Sequence, residues 1–421
     1  MQSIKPRFEL MRVIDDGAQE EPRIMVVTRA PCDTVMERRT FLSLGIGAAG
    51  LVLVNGCGLS SPAKVPAKLP KAHNGTVNDL AISSDGKMIA SCSSDNTIKL
   101  WSLPERNLLR TLQGHKNAVN ALALLPDGKV LASGSYDKTI KLWSLSDGTL
   151  LTSLDAHQDS VTALATTRDG KVLASGSYDK TIKLWLLPEN KLLTVLEGHQ
   201  NRVGALAITS DDKLLASGSE DTTIKLWSLP DGKSLTTLEG HKDEVRDLAI
   251  TPDGKLLASA SNDKTIRFWS LPDGKLLRTL EDQKDWVRAL AITPDGKLIA
   301  SVSRSAINLW SLPNFELQAT LDGINLVWTL AVTPDSNVLA SGFMTGIVIL
   351  WDLDRRGYLT SLSDPIVESP PKSANTNASP NMPPESFRTP EGIPTGTTVT
   401  KPCDWQPIPP GYICTCNCVP G

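Results

Sequence analysis

A fixed period is the feature that most restricts how this chain can fold. All five histidines, His73, His115, His157, His199 and His241, stand 42 residues apart. Trp101, Trp143, Trp185, Trp227 and Trp269 keep the same step, and Trp310 and Trp351 follow at 41. A step of about 40 to 45 residues marks an array whose units cannot bury their apolar faces alone and have to stack. The repeat therefore overrides the length prior, under which 421 residues would suggest roughly three domains. Residues 71–362 read as one closed body.

One unit shows the local logic. Val119 to Leu124 alternates apolar and small or polar residues near its end, as a half-buried strand does. Pro126-Asp127-Gly128-Lys129 reads as a tight turn. Val130 to Ser135 is a run of small and apolar residues suited to burial on both faces. Tyr136-Asp137-Lys138 turns the chain again, Thr139 to Trp143 alternates, and Thr149 to Leu154 forms a fourth, outer strand. Four short strands joined by such turns make an antiparallel meander. Seven units, headed at residues 73, 115, 157, 199, 241, 283 and 324, predict an all-β ring of seven radial four-stranded sheets with short edges.

The Gly-His pairs at 114–115, 198–199 and 240–241 and the tryptophan ending each third strand resemble the WD-repeat family of β-propellers. Only Trp351-Asp352 keeps the usual Trp-Asp. The resemblance implies a buried structural tetrad of His, Ser, Asp and Trp in each complete unit. The sets are His73-Ser91-Asp95-Trp101, His115-Ser133-Asp137-Trp143, His157-Ser175-Asp179-Trp185, His199-Ser217-Asp221-Trp227 and His241-Ser259-Asp263-Trp269. Indole N–H, hydroxyl, imidazole and carboxylate can be chained by hydrogen bonds. A Ser-His-Asp trio also invites a hydrolase reading, but five copies in one register suit bracing rather than a single nucleophile. No Gly-x-Ser-x-Gly elbow accompanies them. Gly232-Lys233-Ser234 lacks the first glycine of a phosphate loop, and no His-Glu-x-x-His or Cys-x-x-Cys pattern occurs. No catalytic residue and no cofactor is expected in the propeller.

Units six and seven depart from the pattern. Gln283 and Ile324 take the histidine positions, while Arg304 and Thr345 fall near the aspartate position. The same units carry two further tryptophans, Trp286 and Trp328, beside Val287 and Val327. The family resemblance implies that residues flanking this valine, and the residue before the tetrad aspartate, reach the upper face and touch partners. Units one to three offer small groups there, such as Asn78, Asn120 and Thr162, plus Tyr136 and Tyr178. Units four to seven offer Arg202, Arg246, Trp286, Arg288 and Trp328. Trp, Tyr and Arg are the side chains that most often carry interface energy. The partner-binding residues expected are therefore Tyr136, Tyr178, Arg202, Arg246, Trp286, Arg288 and Trp328, with proteins or peptides as ligands. The alternative is that Trp286 and Trp328 fill space left by the missing histidines. The 43 basic and 46 acidic residues leave a net charge of −3, which provides no field to recruit nucleic acid.

Many WD-repeat rings close by borrowing the last outer strand from the chain start. Here residues 64–70 hold two prolines and suit a strand poorly, whereas 357–362 match the other outer strands. The seventh sheet is expected to complete itself, leaving closure to packing between sheets one and seven.

Both ends lie outside the array and are expected to lack fixed structure. Residues 1–59 include Arg38-Arg39-Thr40-Phe41-Leu42, which resembles the bacterial twin-arginine export motif. An apolar run from Phe41 to Val54 follows, then Val54-Asn55-Gly56-Cys57, which resembles a lipoprotein processing box with Cys57 as the lipidated residue. Export to the periplasmic side of the inner membrane is the expected localisation, with Met36 as a candidate true start. An uncleaved anchor or a packed helix in a cytoplasmic protein are the alternatives. Residues 60–70 read as a linker. Residues 363–402 have the Pro, Ser, Asn and Thr content of a disordered linker. The tail, 403–421, holds Cys403, Cys414, Cys416 and Cys418. Disulfides, a thiolate site for Zn or Cu(I), or a modification signal remain open for it. The expected function is a non-enzymatic protein-interaction scaffold that is exported and membrane-tethered. The alternative is a redox or metal-handling protein whose active element is the cysteine tail and whose propeller docks partners.

Overall fold

The computed structural model describes residues 65–363, apart from 67, 282, 304, 305 and 323–325, together with the backbone of Phe8–Arg12 and Ile24–Thr28. Cys57, Arg304, Ile324 and Cys403 to Cys418 lie outside the described residues. Phe8–Arg12 pairs antiparallel with Ile24–Thr28. This pair goes beyond the sequence expectation for the amino-terminal extension. Among the described residues there is no helix long and apolar enough to cross a membrane.

The remaining strands form seven four-stranded antiparallel sheets, each with its strands in chain order. Their inner strands are Val77–Ile82, Val119–Leu124, Val161–Thr166, Val203–Ile208, Val245–Ile250, Leu290–Ile292 and Val327–Val332. Each inner strand packs beside the next, and the last packs beside the first, so the ring is closed. The second strands are the most deeply buried. Val172–Ser177 and Leu214–Ser219 have no solvent-facing position, which is why they are built from Leu, Ala, Ser and Gly.

The core is divided into repeats of one interface. Ala132, Ile140 and Leu142 of sheet two pack with Val161, Leu173 and Trp185 of sheet three. Ala174, Ile182 and Leu184 of sheet three pack in the same way with Val203, Leu215 and Trp227 of sheet four. Each tryptophan therefore belongs to its own sheet by sequence and to the preceding sheet by packing. Burying such large side chains contributes about 1.5–3 kcal/mol each, and no sheet can realise this gain without its neighbour.

Closure uses this interface once more. Val348, Leu350 and Leu362 of sheet seven pack with Val77, Leu80, Ile89 and Trp101 of sheet one. Gly357–Leu362 supplies the fourth strand of sheet seven, pairing with Val348–Asp352. The segment before the ring is not a strand; its Val65 and Leu69 pack against the core of sheets six and seven instead. The backbone N–H groups of Ala72 and His73 both donate to the Gly346 carbonyl at 2.9 Å. That approach requires glycine. Gly346 has φ +82°, and a Cβ there would lie 2.1 Å from the His73 carbonyl oxygen.

Gly346→Ala should therefore weaken the seam, by roughly 2–5 kcal/mol from left-handed strain and steric overlap together. The denaturant midpoint should drop accordingly; an unchanged midpoint would mean that closure does not depend on this contact.

Candidate functional site

The tetrads come together in all five complete sheets. The indole N–H of Trp101, Trp143, Trp185, Trp227 and Trp269 donates to the serine Oγ at 2.8–2.9 Å. That hydroxyl donates to histidine Nε2 at 2.7–2.8 Å. Histidine Nδ1 then faces aspartate Oδ2 at 2.8–3.1 Å. The chain has a fifth member that the sequence reading misses. Thr97, Thr139, Thr181, Thr223 and Thr265, two residues after each aspartate, donate to its Oδ1 at 2.6–2.7 Å. The recurring Asp-x-Thr spacing was the available signal. Burial opposes ionisation of each aspartate, but the bonds from histidine and threonine outweigh it and hold the carboxyl well below its usual range. Burial, acting against the pull of Asp263, lowers the pKa of His241. The five serines are 0% exposed, so these trios cannot meet a substrate.

Sheets six and seven keep half of the arrangement. Trp310 donates to Ser301 Oγ at 2.9 Å and Trp351 to Ser341 Oγ at 2.7 Å. Gln283 occupies the buried histidine place, accepting from Asn308 Nδ2 at 3.5 Å, while its own Nε2 finds no partner. The inner strand of sheet six is correspondingly short, three residues where the others have six.

The upper face, where the inner strands begin, is shaped by a recurrent bulge. The register skips one residue after the first valine: Asn78, Asn120, Thr162, Gly204, Arg246 and Trp328. A bulge re-aims the side chain it carries. In sheets one to three these side chains staple neighbouring sheets. Asn78 Nδ2 donates to the Val119 carbonyl at 2.8 Å, Asn120 Nδ2 to Val161 at 3.0 Å, and Thr162 Oγ1 to Val203. Gly204, Arg246 and Trp328 do not make this staple. The division that the sequence shows between small and large groups is thus also a division between sheets that are stapled at this position and sheets that are not.

An axial cavity of about 390 Å³ is lined by all seven inner strands, with Tyr136, Arg202, Arg246, Arg288 and Trp328 on its wall. Tyr136 is 40% exposed, and its ring meets that of Tyr178 edge-on at 6.2 Å. Arg202 lies over the Tyr178 ring and donates to its hydroxyl at 2.5 Å. It also pairs with Glu244, and its Nε lies 3.1 Å from Glu220 without being aimed along a hydrogen bond. Arg246 pairs with Glu244 at 2.8 Å and donates to Asn262 at 2.9 Å. Burial lifts the Glu244 carboxyl pKa against the pull of these arginines. Arg288 stacks on Trp328, its Cζ 3.3 Å from the ring centre. Trp286 stands 52% exposed, whereas the adjacent Val287 is fully buried.

Two carboxylates within the channel carry no signal in the repeat pattern. At one register position, sheets two, three, four and six have Ala121, Ala163, Ala205 and Ala289, sheet seven has Thr329, and sheets one and five have Asp79 and Asp247. Each aspartate accepts from its own following amide and from the inner strand of the next sheet. Leu122 N lies 2.8 Å from Asp79, and Leu290 N lies 2.7 Å from Asp247. Deep placement raises their pKa, to about 6 for Asp79 and about 7 for Asp247, against the lowering effect of those amide donors. Both side chains keep part of their surface on the channel.

Two predictions follow from these networks. Ser175→Ala orphans both an indole N–H and an imidazole nitrogen, at about 1–3 kcal/mol for each buried group. Ser301→Ala orphans only the Trp310 N–H, which is less deeply buried, so its denaturant midpoint should fall less; equal losses would remove the histidine from the bracing role. Asp247 binds a proton more readily in the folded chain than unfolded. Its ionisation therefore costs stability as pH rises from about 4 to about 7. Asp247→Asn removes that cost, so the variant's melting temperature relative to wild type should climb between about pH 4 and pH 7. A flat difference would show that the carboxylate is not held protonated.

The comparison with known proteins agrees with this geometry. The family model described as WD domain, G-beta repeat matches at residues 64–102, 106–144, 148–185, 190–228, 232–270, 274–311 and 315–352. From the second onward, each match joins the outer strand of one sheet to three strands of the next. The first begins at residue 64, ahead of the ring, where none of the described residues up to 70 is in a strand, and the last stops short of Gly357–Leu362. No curated protein matches the chain. Matched over more than half of its length, the chain belongs to the WD-repeat family.

Proposed function

We propose that this protein is a non-enzymatic interaction scaffold whose working surface is the upper mouth of the propeller from Tyr136 and Tyr178 around to Trp328. WD-repeat propellers generally bind other proteins. The observation that carries the reading is the uneven mouth. In sheets one to three, short bulge residues tie one sheet to the next. In sheets five to seven the corresponding positions carry Arg246, Arg288 and Trp328, with Trp286 exposed beside them. Stability alone does not call for a large half-exposed indole at the rim, and Trp and Arg are the usual anchors of interface energy. The braced sheets under Tyr136, Tyr178, Arg202 and Arg246 give that part of the surface low reorganisation cost on binding.

We further propose that the chain is exported and held at the outer side of a bacterial inner membrane. Support comes from the Arg38-Arg39 pair, the apolar run to Val54 and Cys57. The cysteine-tail alternative draws on sequence only.

Affinity capture with the full chain, from membrane and soluble fractions, tests both parts. Partners recovered with wild type should be lost with Trp286→Ala/Trp328→Ala while the melting temperature shifts little, and Cys57→Ala should move the bait out of the membrane fraction. Retention of the same partners by the double variant would sink the mouth as the binding surface.

A further inference from the structure

Beside the channel mouth a second cavity of about 390 Å³ opens between sheets six and seven. Its walls include Trp286, Arg288, Leu326, Trp328 and Met344. The cavity sits where the tetrad is broken. In sheet six the regular ladder is confined to Leu290–Ile292, and above it Arg288 N donates to the Val302 carbonyl and Val302 N to the Ala289 carbonyl. Val287 still plugs the core, which turns its neighbours Trp286 and Arg288 outward to the mouth. Two indoles and the thioether of Met344, itself 42% exposed, give the cavity an apolar lining.

One group in that lining is unsatisfied. Arg202 and Arg246 are engaged by Glu220, Glu244, Asn262 and the Tyr178 hydroxyl. The Arg288 guanidinium makes no ion pair or hydrogen bond among the described residues and is held by its stack on Trp328. Glu220 and Glu244 thus serve Arg202 and Arg246, Asp285 on the cavity wall accepts from the Trp286 amide, and Arg288, which lines the same cavity, has no carboxylate partner among the described residues. Burial, and next the field of Arg246, push the pKa of Arg288 down to about 10. A guanidinium pinned face-on to an indole keeps its N–H edge for a planar anion. A single uncommitted arginine on a chain of net charge −3 cannot hold a polyanion or an anionic membrane surface.

Resting on the scaffold reading, we propose that this groove receives a peptide segment of the partner in which a carboxylate side chain lies next to an apolar one. The carboxylate pairs with Arg288, and the apolar side chain enters between Trp286, Trp328 and Met344. A buried charge-assisted pair and an aromatic-lined anchor at adjacent points would supply both orientation and affinity.

The test is selection of random short peptides displayed against the immobilised full-length chain, followed by fluorescence anisotropy of the labelled winners. Enriched peptides should share Asp or Glu next to Leu, Ile, Phe, Met or Trp. Replacing that acid by its amide should weaken binding roughly tenfold to a hundredfold. Arg288→Gln should cause a similar loss, and the two changes together should cost little more than either alone. Trp286→Ala, at an exposed position, should weaken binding with an unaltered melting temperature, so that loss of affinity is not mistaken for loss of fold. Winners lacking an acid that bind wild type and Arg288→Gln equally, but fail with Trp286→Ala, overturn the acidic-ligand inference and leave the scaffold reading standing. Winners indifferent to both variants, or no winners, overturn both.

Discussion

The structure depends on the hydrogen-bonded line from indole through hydroxyl and imidazole to carboxylate. Its geometry varies by no more than a few tenths of an ångström among five sheets. The line joins the third strand, through its tryptophan, to the second strand and to the loop that enters the inner strand. The same tryptophan packs against the preceding sheet, as Trp185 does against Ile140 and Leu142. One side chain therefore couples the internal order of a sheet to its attachment. Deleting a member of a satisfied buried network costs more than the lost bond, because its partners are left without water or substitute.

Regularity of this kind makes the departures meaningful. Sheets six and seven keep the Trp–Ser bond and the seam packing, so the ring remains closed there. What they lose is the His–Asp half, which braces the entry loop at the upper face. In sheet six the loss goes with a shortened inner strand and a half-satisfied Gln283, whereas sheet seven keeps six residues in its inner strand; a groove opens between them. The large aromatic residues lie at this unbraced sector. The filler reading of Trp328 has some substance, since Trp328 is partly covered and supports Arg288. Trp286 does not fit it, because it projects into solvent.

Charge inside the ring follows two opposite rules. The tetrad aspartates meet donors on both oxygens and stay ionised despite burial, so they add stability that disappears as pH falls below about 4. Among the described residues Asp79 and Asp247 meet backbone amides, with the Thr329 hydroxyl as a further donor to Asp79, and no paired cation, and they resist ionisation. Each nevertheless links its strand to the next one, an arrangement that alanine at the same position in other sheets cannot provide.

Much of this was readable in the chain because the information is periodic. His73 to His241 and Trp101 to Trp351 recur at a nearly constant step, and a constant step calls for like units that stack. Strand bounds such as Val119–Leu124 and Val130–Ser135 and the outer strand at 357–362 follow from alternation and turns, which are local properties. The partners of Arg202, Arg246 and Arg288 were not readable in that way. All three are arginines near the same register position, yet Glu244 engages two and leaves the third on Trp328. That outcome depends on which side chains from different sheets converge at the mouth, over separations of roughly one repeat that carry no sequence pattern. The channel position of Asp79 and Asp247 was hidden for the same reason. The period by itself determined the architecture and its bracing, because both repeat. Only the closed tertiary structure decided which charges are spent and which remain available, because that depends on neighbours brought together by closure.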